Sequence, residues 1–179
     1  SISKNGLEYR FLIKKNIKFH KSEIFGKDST RSVDAYDFEY SFKRLIDPNL
    51  ASPGAWSLNK IKSFKALNDS IFQVNLKAPF SAFLESLSMK YFSVVPKEAV
   101  SHFGNKFGKN PIGTGPFKFK KWEENVKLVL RKNELYFEKD NHGKQLPYLE
   151  SISITFLPEK KSEFLEFIKG EIDYINSID

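Results

Sequence analysis

Acid–base, nucleophilic or metal chemistry would have to come from three histidines and their neighbouring carboxylates. His20, His102 and His142 lie far apart in the chain, in surroundings of different kinds. No H-E-x-x-H, no G-x-S-x-G and no G-x-x-x-x-G-K-[ST] is present, so the usual spacings of zinc proteases, serine hydrolases and phosphate loops are missing. A Ser–His pair can assemble in space from distant positions, and the sequence leaves that open without marking a pair. Glu138, Asp140 and His142 put three hard-metal ligand types within one short stretch, which has the chemistry of an oxygen-rich cation site. The same residues ahead of Gly143 also make a solvated turn, and that is the plainer reading. The chain has no cysteine, which excludes disulfides and thiolate metal sites. Gly113 and Gly115 lack the third glycine and the preceding strand of a dinucleotide fingerprint. Pro116 also removes an amide donor, so the G-T-G-P run is expected to be a positive-φ turn. No catalytic residue, metal site or cofactor is expected.

Three further residues could contact a ligand instead of reacting with one. Trp56 lies in the loop Asn49 to Trp56 (NLASPGAW), where a large aromatic has as much reason to bind as to pack. Trp122 ends a predicted strand and is expected in the core with its indole N–H satisfied. Met89, the single methionine, reads from its type alone as core filler.

The 179 residues fit one large domain or two small ones, and 40% hydrophobic content with 18 phenylalanines can build a core. The net charge of +7 and a pI near 9.4 raise the question of polyanions. Arginine occurs only at Arg10, Arg31, Arg44 and Arg131; the other basic residues are lysines, dispersed among 22 acidic ones. Dispersed lysine mostly solvates a surface, whereas gripping phosphate favours arginine forks. A basic polyanion-binding domain therefore stands as the alternative of another class, and it would lose affinity steeply with salt. No apolar run approaches the roughly 20 residues needed to cross a bilayer.

The elements follow from periodicity. Residues 7–13 and 16–20 read as two strands of a hairpin. Asp34 reads as a helix N-cap with Asp37 as its acidic capping partner, and Phe38, Phe42, Leu45 and Ile46 form the inward face. Asp47-Pro48 ends that helix. Residues 57–66 fit neither period. A turn at Asn68-Asp69 leads into the alternating strand 71–76, then a short helix through Phe83, Leu84 and Leu87. Residues 92–95 are predicted as a strand ended by Pro96, and residues 97–103 as a helical turn closed by Gly104. The runs 117–119 and 126–130 flank a polar turn as a second hairpin. A strand is expected at 151–157, and a helix at 159–168 with Phe164, Leu165 and Ile168 inward and Gly170 as its stop. Another strand is expected to start at 172–175. Irregular alternation with hairpins suits an α+β lobe with a mixed sheet better than a doubly wound fold.

Several segments, in order, resemble the extracytoplasmic solute-binding proteins of the peptide/nickel ABC-importer family: GLEYRFLIKKNIKFH, SVDAYDFEYSFKRLIDPN, LNDSIFQVNLKAPFSAFLESL, SVVPKEAV, NPIGTGPFKFKKW and GEID. Lys21-Ser22 replaces the family's usual Asp-Gly, and Asp34 stands where Thr or Ser commonly caps. The resemblance implies two lobes closing on a ligand about a hinge, no catalysis, a peptide or other small solute as cargo and an ABC permease as membrane partner. It also implies a monomer, no nucleic acid, and a periplasmic or lipid-anchored location; nickel chelates and oligosaccharides are alternative cargoes within the family. Residues 1–96 would supply part of the smaller subdomain of lobe I and residues 97–179 part of its core sheet. The first strands and lobe II would lie outside the chain, so that alone it offers half a cleft. The loop carrying Gly54, Ala55 and Trp56 would reach the cleft, although the family's aromatic after Pro53 is here Gly54. Met89 would align with a position near the ligand, and Asn176 and Ser177 with polar residues at the cleft.

Overall fold

In the computed structural model, which describes residues 1–176, the capping box read at Asp34 is formed. The Asp34 carboxylate accepts the Tyr36 and Asp37 amides, and Asp37 Oδ2 accepts the Asp34 amide at 3.0 Å. These bonds satisfy the orphan donors of α1 (Ala35–Leu45). Arg31 then grips Asp37 through two guanidinium nitrogens at 2.8 and 2.7 Å. Its remaining edge reaches Glu98 at 2.7 and 2.8 Å, tying α1 to α3 (Lys97–Phe103). Phe38 and Phe42 face the core, where the Phe42 ring meets Phe64, Phe72 and Phe92 at 5.3, 5.1 and 5.1 Å. Ile46, expected inward, is exposed, because the chain leaves helical geometry there ahead of Pro48.

The first sheet packs against α1. Its strands are β1 (Glu8–Leu12), β2 (Ile61–Asn68) and β3 (Ile71–Leu76), ordered β1-β3-β2 and all antiparallel. The segment that fitted neither period therefore contributes most of β2. The expected hairpin between residues 7–13 and 16–20 does not form. β3 buries Phe72, Val74 and Leu76 and needs a partner on each edge, so β1 pairs with it, Phe11 opposite Phe72. Ile17 to Phe19 instead bonds to Arg31 and Val33, which places Phe19 in a second apolar cluster with Val33, Ala99 and Ile112. Helix α2 (Phe83–Ser86) buries Phe83 but leaves Leu84 half exposed. The strand expected at 92–95 is absent. Lys90–Phe92 is a tight turn, and the Val95 amide bonds to the Ser41 hydroxyl at 3.0 Å, so no strand partner is required.

The second sheet consists of β4 (Phe117–Glu123), β5 (Lys127–Lys132) and β6 (Ser151–Thr155), again antiparallel. Its register aligns Phe119, Leu130 and Ile152 in one row and Trp122, Leu128 and Ile154 in the next. Trp122 is not in the core: its ring is 43% exposed, with Lys109 Nζ 5.9 Å from the ring. Helix α4 (Lys160–Ile168) ends at Gly170 as read, with φ at +80°. Its Phe164, Leu165 and Ile168 are exposed, and no strand is formed at 172–175. No further layer of the described chain covers these apolar faces.

The turn before β4 is held by side chains from elsewhere. Neither Gly113 nor Gly115 has a positive φ, contrary to expectation. Instead the His20 amide donates to the Gly113 carbonyl at 2.8 Å and the His20 Nδ1 accepts the Gly113 amide at 3.3 Å. That leaves the proton on Nε2, which donates to the Gly115 carbonyl at 3.0 Å, beside Asn133 Nδ2 at 2.9 Å. Burial, more than the nearby Lys118 charge, pushes His20 below its usual 6.5 against the opposing effect of the Gly115 bond. A depressed folded-state value means the stability is present above pH 6.5 and is lost as pH falls through that value. The expected result is a thermal midpoint that declines as pH falls from 6.5 toward the depressed His20 value. A His20→Gln chain should be flat across that window, and an equal decline in both would place the acid sensitivity elsewhere.

Candidate functional site

Two loops that the sequence separates by more than thirty residues converge at one edge of the first sheet. Asp47-Pro48 ends α1, and the Asp47 carboxylate accepts the Asn49 amide to start the first loop. Ser52 Oγ then accepts the Gly54 amide at 3.2 Å, and Ser57 Oγ donates to the Gly54 carbonyl at 2.6 Å. The short turn Ala55–Leu58 follows, anchored by buried Leu58. The second loop leaves α2 through Met89, which packs half-buried against the core, and runs through the Lys90–Phe92 turn. Phe92 goes into the core and Tyr91 turns toward the first loop.

Their meeting point is Gly54. Its φ of −90° imposes no glycine requirement, but a Cβ there would lie 2.5 Å from Tyr91 Cγ and Cδ1 and 2.8 Å from Tyr91 Cβ. Tyr91 therefore occupies the place that any side chain at position 54 would need. Trp56 stands edge-to-face with Tyr91, centroids 6.3 Å apart, and is 57% exposed. Lys90 Nζ lies 5.7 Å from the same tyrosine ring. Gly54 and Trp56 are thus joined through Tyr91, a member that the sequence did not indicate, while Met89, two residues before it, packs on the core. Adjacent aromatics at 91 and 92 carry no period, and only the closeness of Gly54 shows which way Tyr91 faces. Asn176 is exposed, and nothing joins it to this group among the described residues; Ser177 lies outside them.

The other candidates resolve differently. His20 is engaged with the turn, His102 stands edge-to-face with Phe103 at 4.8 Å, and His142 lies in an exposed loop. Asp140 accepts the His142 and Lys144 amides and the Tyr148 hydroxyl, while Glu138 accepts the Tyr136 hydroxyl at 2.7 Å. Among the described residues no group of three His, Cys, Asp or Glu could hold a metal. In the groove bearing Arg31, Asp37 and Glu98 these three charges pair with one another. A separate apolar cavity of about 430 Å³ lies between Phe11, Phe38, Phe72, Phe92, Thr114 and Phe137, with none of Gly54, Trp56 or Met89 in its wall.

A family model described as Bacterial extracellular solute-binding proteins, family 5 Middle, matches residues 1–179. The chain belongs to this family. Its members are solute-binding proteins, so family 5 is one of capture and not of catalysis. The oligopeptide-binding protein OppA of Bacillus subtilis is 28% identical over 191 residues, covering 96% of this chain and 32% of its own length. The DppA structure from Helicobacter pylori, described as an ABC transporter-associated periplasmic binding protein in complex with the peptide STSA, is 31% identical with a TM-score of 0.82. It covers 96% of this chain and 35% of its own. NikZ from Campylobacter jejuni, in complex with Ni(L-His), is 27% identical with a TM-score of 0.78, covering 97% and 32%. The chain thus spans about a third of the length of these relatives, which accords with an α+β portion corresponding to one lobe of a family 5 protein. No helix among the described residues is long and apolar enough to cross a membrane.

Proposed function

We propose that this chain is part of an extracytoplasmic receptor that captures a short peptide and delivers it to an ABC-type permease, without catalysis or a cofactor. The observation that carries the reading is the meeting of the Gly54 loop with the loop that follows Met89, where an exposed indole stands edge-to-face with Tyr91. Such a rigid aromatic surface beside backbone polar groups suits a small solute. The peptide STSA in the H. pylori structure and the oligopeptide-binding relative in B. subtilis favour peptide as the cargo. Gly54, Ala55, Trp56, Met89, Asn176 and Ser177 are the proposed ligand contacts. A division into residues 1–96 and 97–179, a monomeric state and indifference to nucleic acid belong to the same proposal; the two separate three-stranded sheets support the division.

A second reading is favoured by one observation, the Ni(L-His) complex of NikZ. In that reading the same edge holds an amino-acid chelate of nickel. Calorimetry of the full-length receptor separates the two. The expected result is micromolar or tighter binding of short peptides with no heat from Ni²⁺ plus histidine. Heat only from the nickel mixture would replace the peptide reading by the chelate one.

A further inference from the structure

Tyr91 is placed so that two features depend on it. Its ring fills the space above Gly54 that any Cβ would enter, at 2.5 Å from two ring carbons. It also supplies the edge-to-face partner that fixes the orientation of the Trp56 indole at 6.3 Å. The two aromatic rings come from loops that hydrogen-bond within themselves: Gly54 through Ser52 and Ser57, and the Tyr91 turn through the Phe92 and Ser93 amides. Fixing two rings in this way lowers the entropy lost when a third apolar group joins them. Lys90 holds its ammonium over the tyrosine ring, 5.7 Å from the centroid, and among the described residues no carboxylate pairs with it. The patch therefore combines two rings set at 76° to one another with a cation over the tyrosine ring.

We propose that Tyr91, seated on Gly54, is the specificity-determining residue of this edge: with Trp56 it takes an apolar side chain of the cargo, and Lys90 takes a carboxylate next to that side chain. This rests on the peptide reading above, and it commits the occupant to the C-terminal residue of a short peptide. An apolar C-terminal residue presents a side chain and a carboxylate on one carbon, which matches the adjacency of the ring pair and the ammonium. Gly54 sets the place of Tyr91, because any larger residue displaces the ring. Tyr91 thus does the work of an aromatic at position 54 itself, from a different loop.

The test is selection from a random tripeptide library by the full-length receptor, with retained peptides sequenced by mass spectrometry. Wild type should enrich aromatic and large aliphatic residues at the C-terminal position. Tyr91→Ala should reduce that enrichment about fivefold, the worth of one aromatic contact. Gly54→Ala should reduce it equally, and the double variant no further, since both remove the same ring. Should Gly54→Ala fail to fold, Tyr91→Ala and Lys90→Gln suffice: the first flattens the side-chain preference, and the second weakens free-acid peptides but not amidated ones. Losses that multiply in the double variant, or a C-terminal preference that survives Tyr91→Ala, would overturn the proposal while leaving peptide capture intact. A wild-type receptor that retains no peptide would overturn peptide capture itself, and this proposal with it.

Discussion

Arg31→Ala is expected to cost about 3 kcal/mol, because it strands the buried Asp37 carboxylate without its partner. Asp37 already serves the capping box of α1, so the loss also loosens the helix start. The substitution further removes the guanidinium lying 5.0 Å from the Phe19 ring and 5.8 Å from Phe25, and with it a cation–π contact over the second cluster. Arg31→Lys should recover less than half of the loss, since an ammonium cannot make the two parallel bonds to Asp37 and reach Glu98 as well. The pH dependence gives an independent check. Hydrogen bonding from Arg31 holds the Glu98 carboxyl below its usual 4.5. A depressed carboxylate contributes stability above 4.5 that is lost as pH falls through the folded value. Urea unfolding of Arg31→Ala should therefore show a weaker fall in stability below pH 4.5 than wild type. An unchanged acid limb would mean that the ion triad contributes nothing there.

Phe42→Ala should be the most damaging single change, at about 3–5 kcal/mol. Phe42 is 3% exposed and its ring touches one from β2, one from β3 and one from the turn after α2. Truncation empties the point where helix, sheet and the Tyr91 loop meet, next to the existing apolar cavity that Phe42 helps to line. At this chain length each kcal/mol corresponds to roughly 2–4 °C in thermal midpoint, so a fall of about 6–20 °C is expected. Leu84→Ala, on a half-exposed position of α2, is the control and should stay within about 0.5 kcal/mol. Equal losses at the two positions would show that the aromatic cluster is not the organising core.

The helix around Phe42 was legible because every signal for it is local. The Asp34 cap, the Asp37 partner, the i, i+4, i+7 spacing and the Asp-Pro stop all lie within fifteen residues. The β2–β3 hairpin was half legible: β3 alternates cleanly, whereas the expanse of β2 carries two register irregularities that blur its period. The partner of β1 was not legible. Proximity in sequence favoured residues 16–20, but the buried strand β3 offered more apolar contact from sixty residues away. At α4 the stop was legible and the environment was not, because a periodic apolar face says that a helix wants a layer, not whether these residues supply one.

The same distinction runs through the site. The family resemblance pointed to the Gly54 loop and to Met89; the fold joins that loop to Tyr91, while Met89 itself packs on the core. Tyr91 escaped notice because its role depends on a missing atom, the absent Cβ of Gly54, in a loop far from it in sequence. The G-T-G-P turn was misjudged for a related reason. Its glycines suggested unusual dihedrals, whereas the turn is shaped by the His20 and Asn133 side chains reaching the Gly115 carbonyl and the Gly113 amide from outside.

The central claim, capture of a peptide cargo, is tested most directly by native mass spectrometry of the full-length receptor purified gently from its own cells without added ligand. The account predicts a series of bound masses spaced like amino-acid residues. A single non-peptide mass, or a nickel isotope pattern on one small chelate, would contradict it.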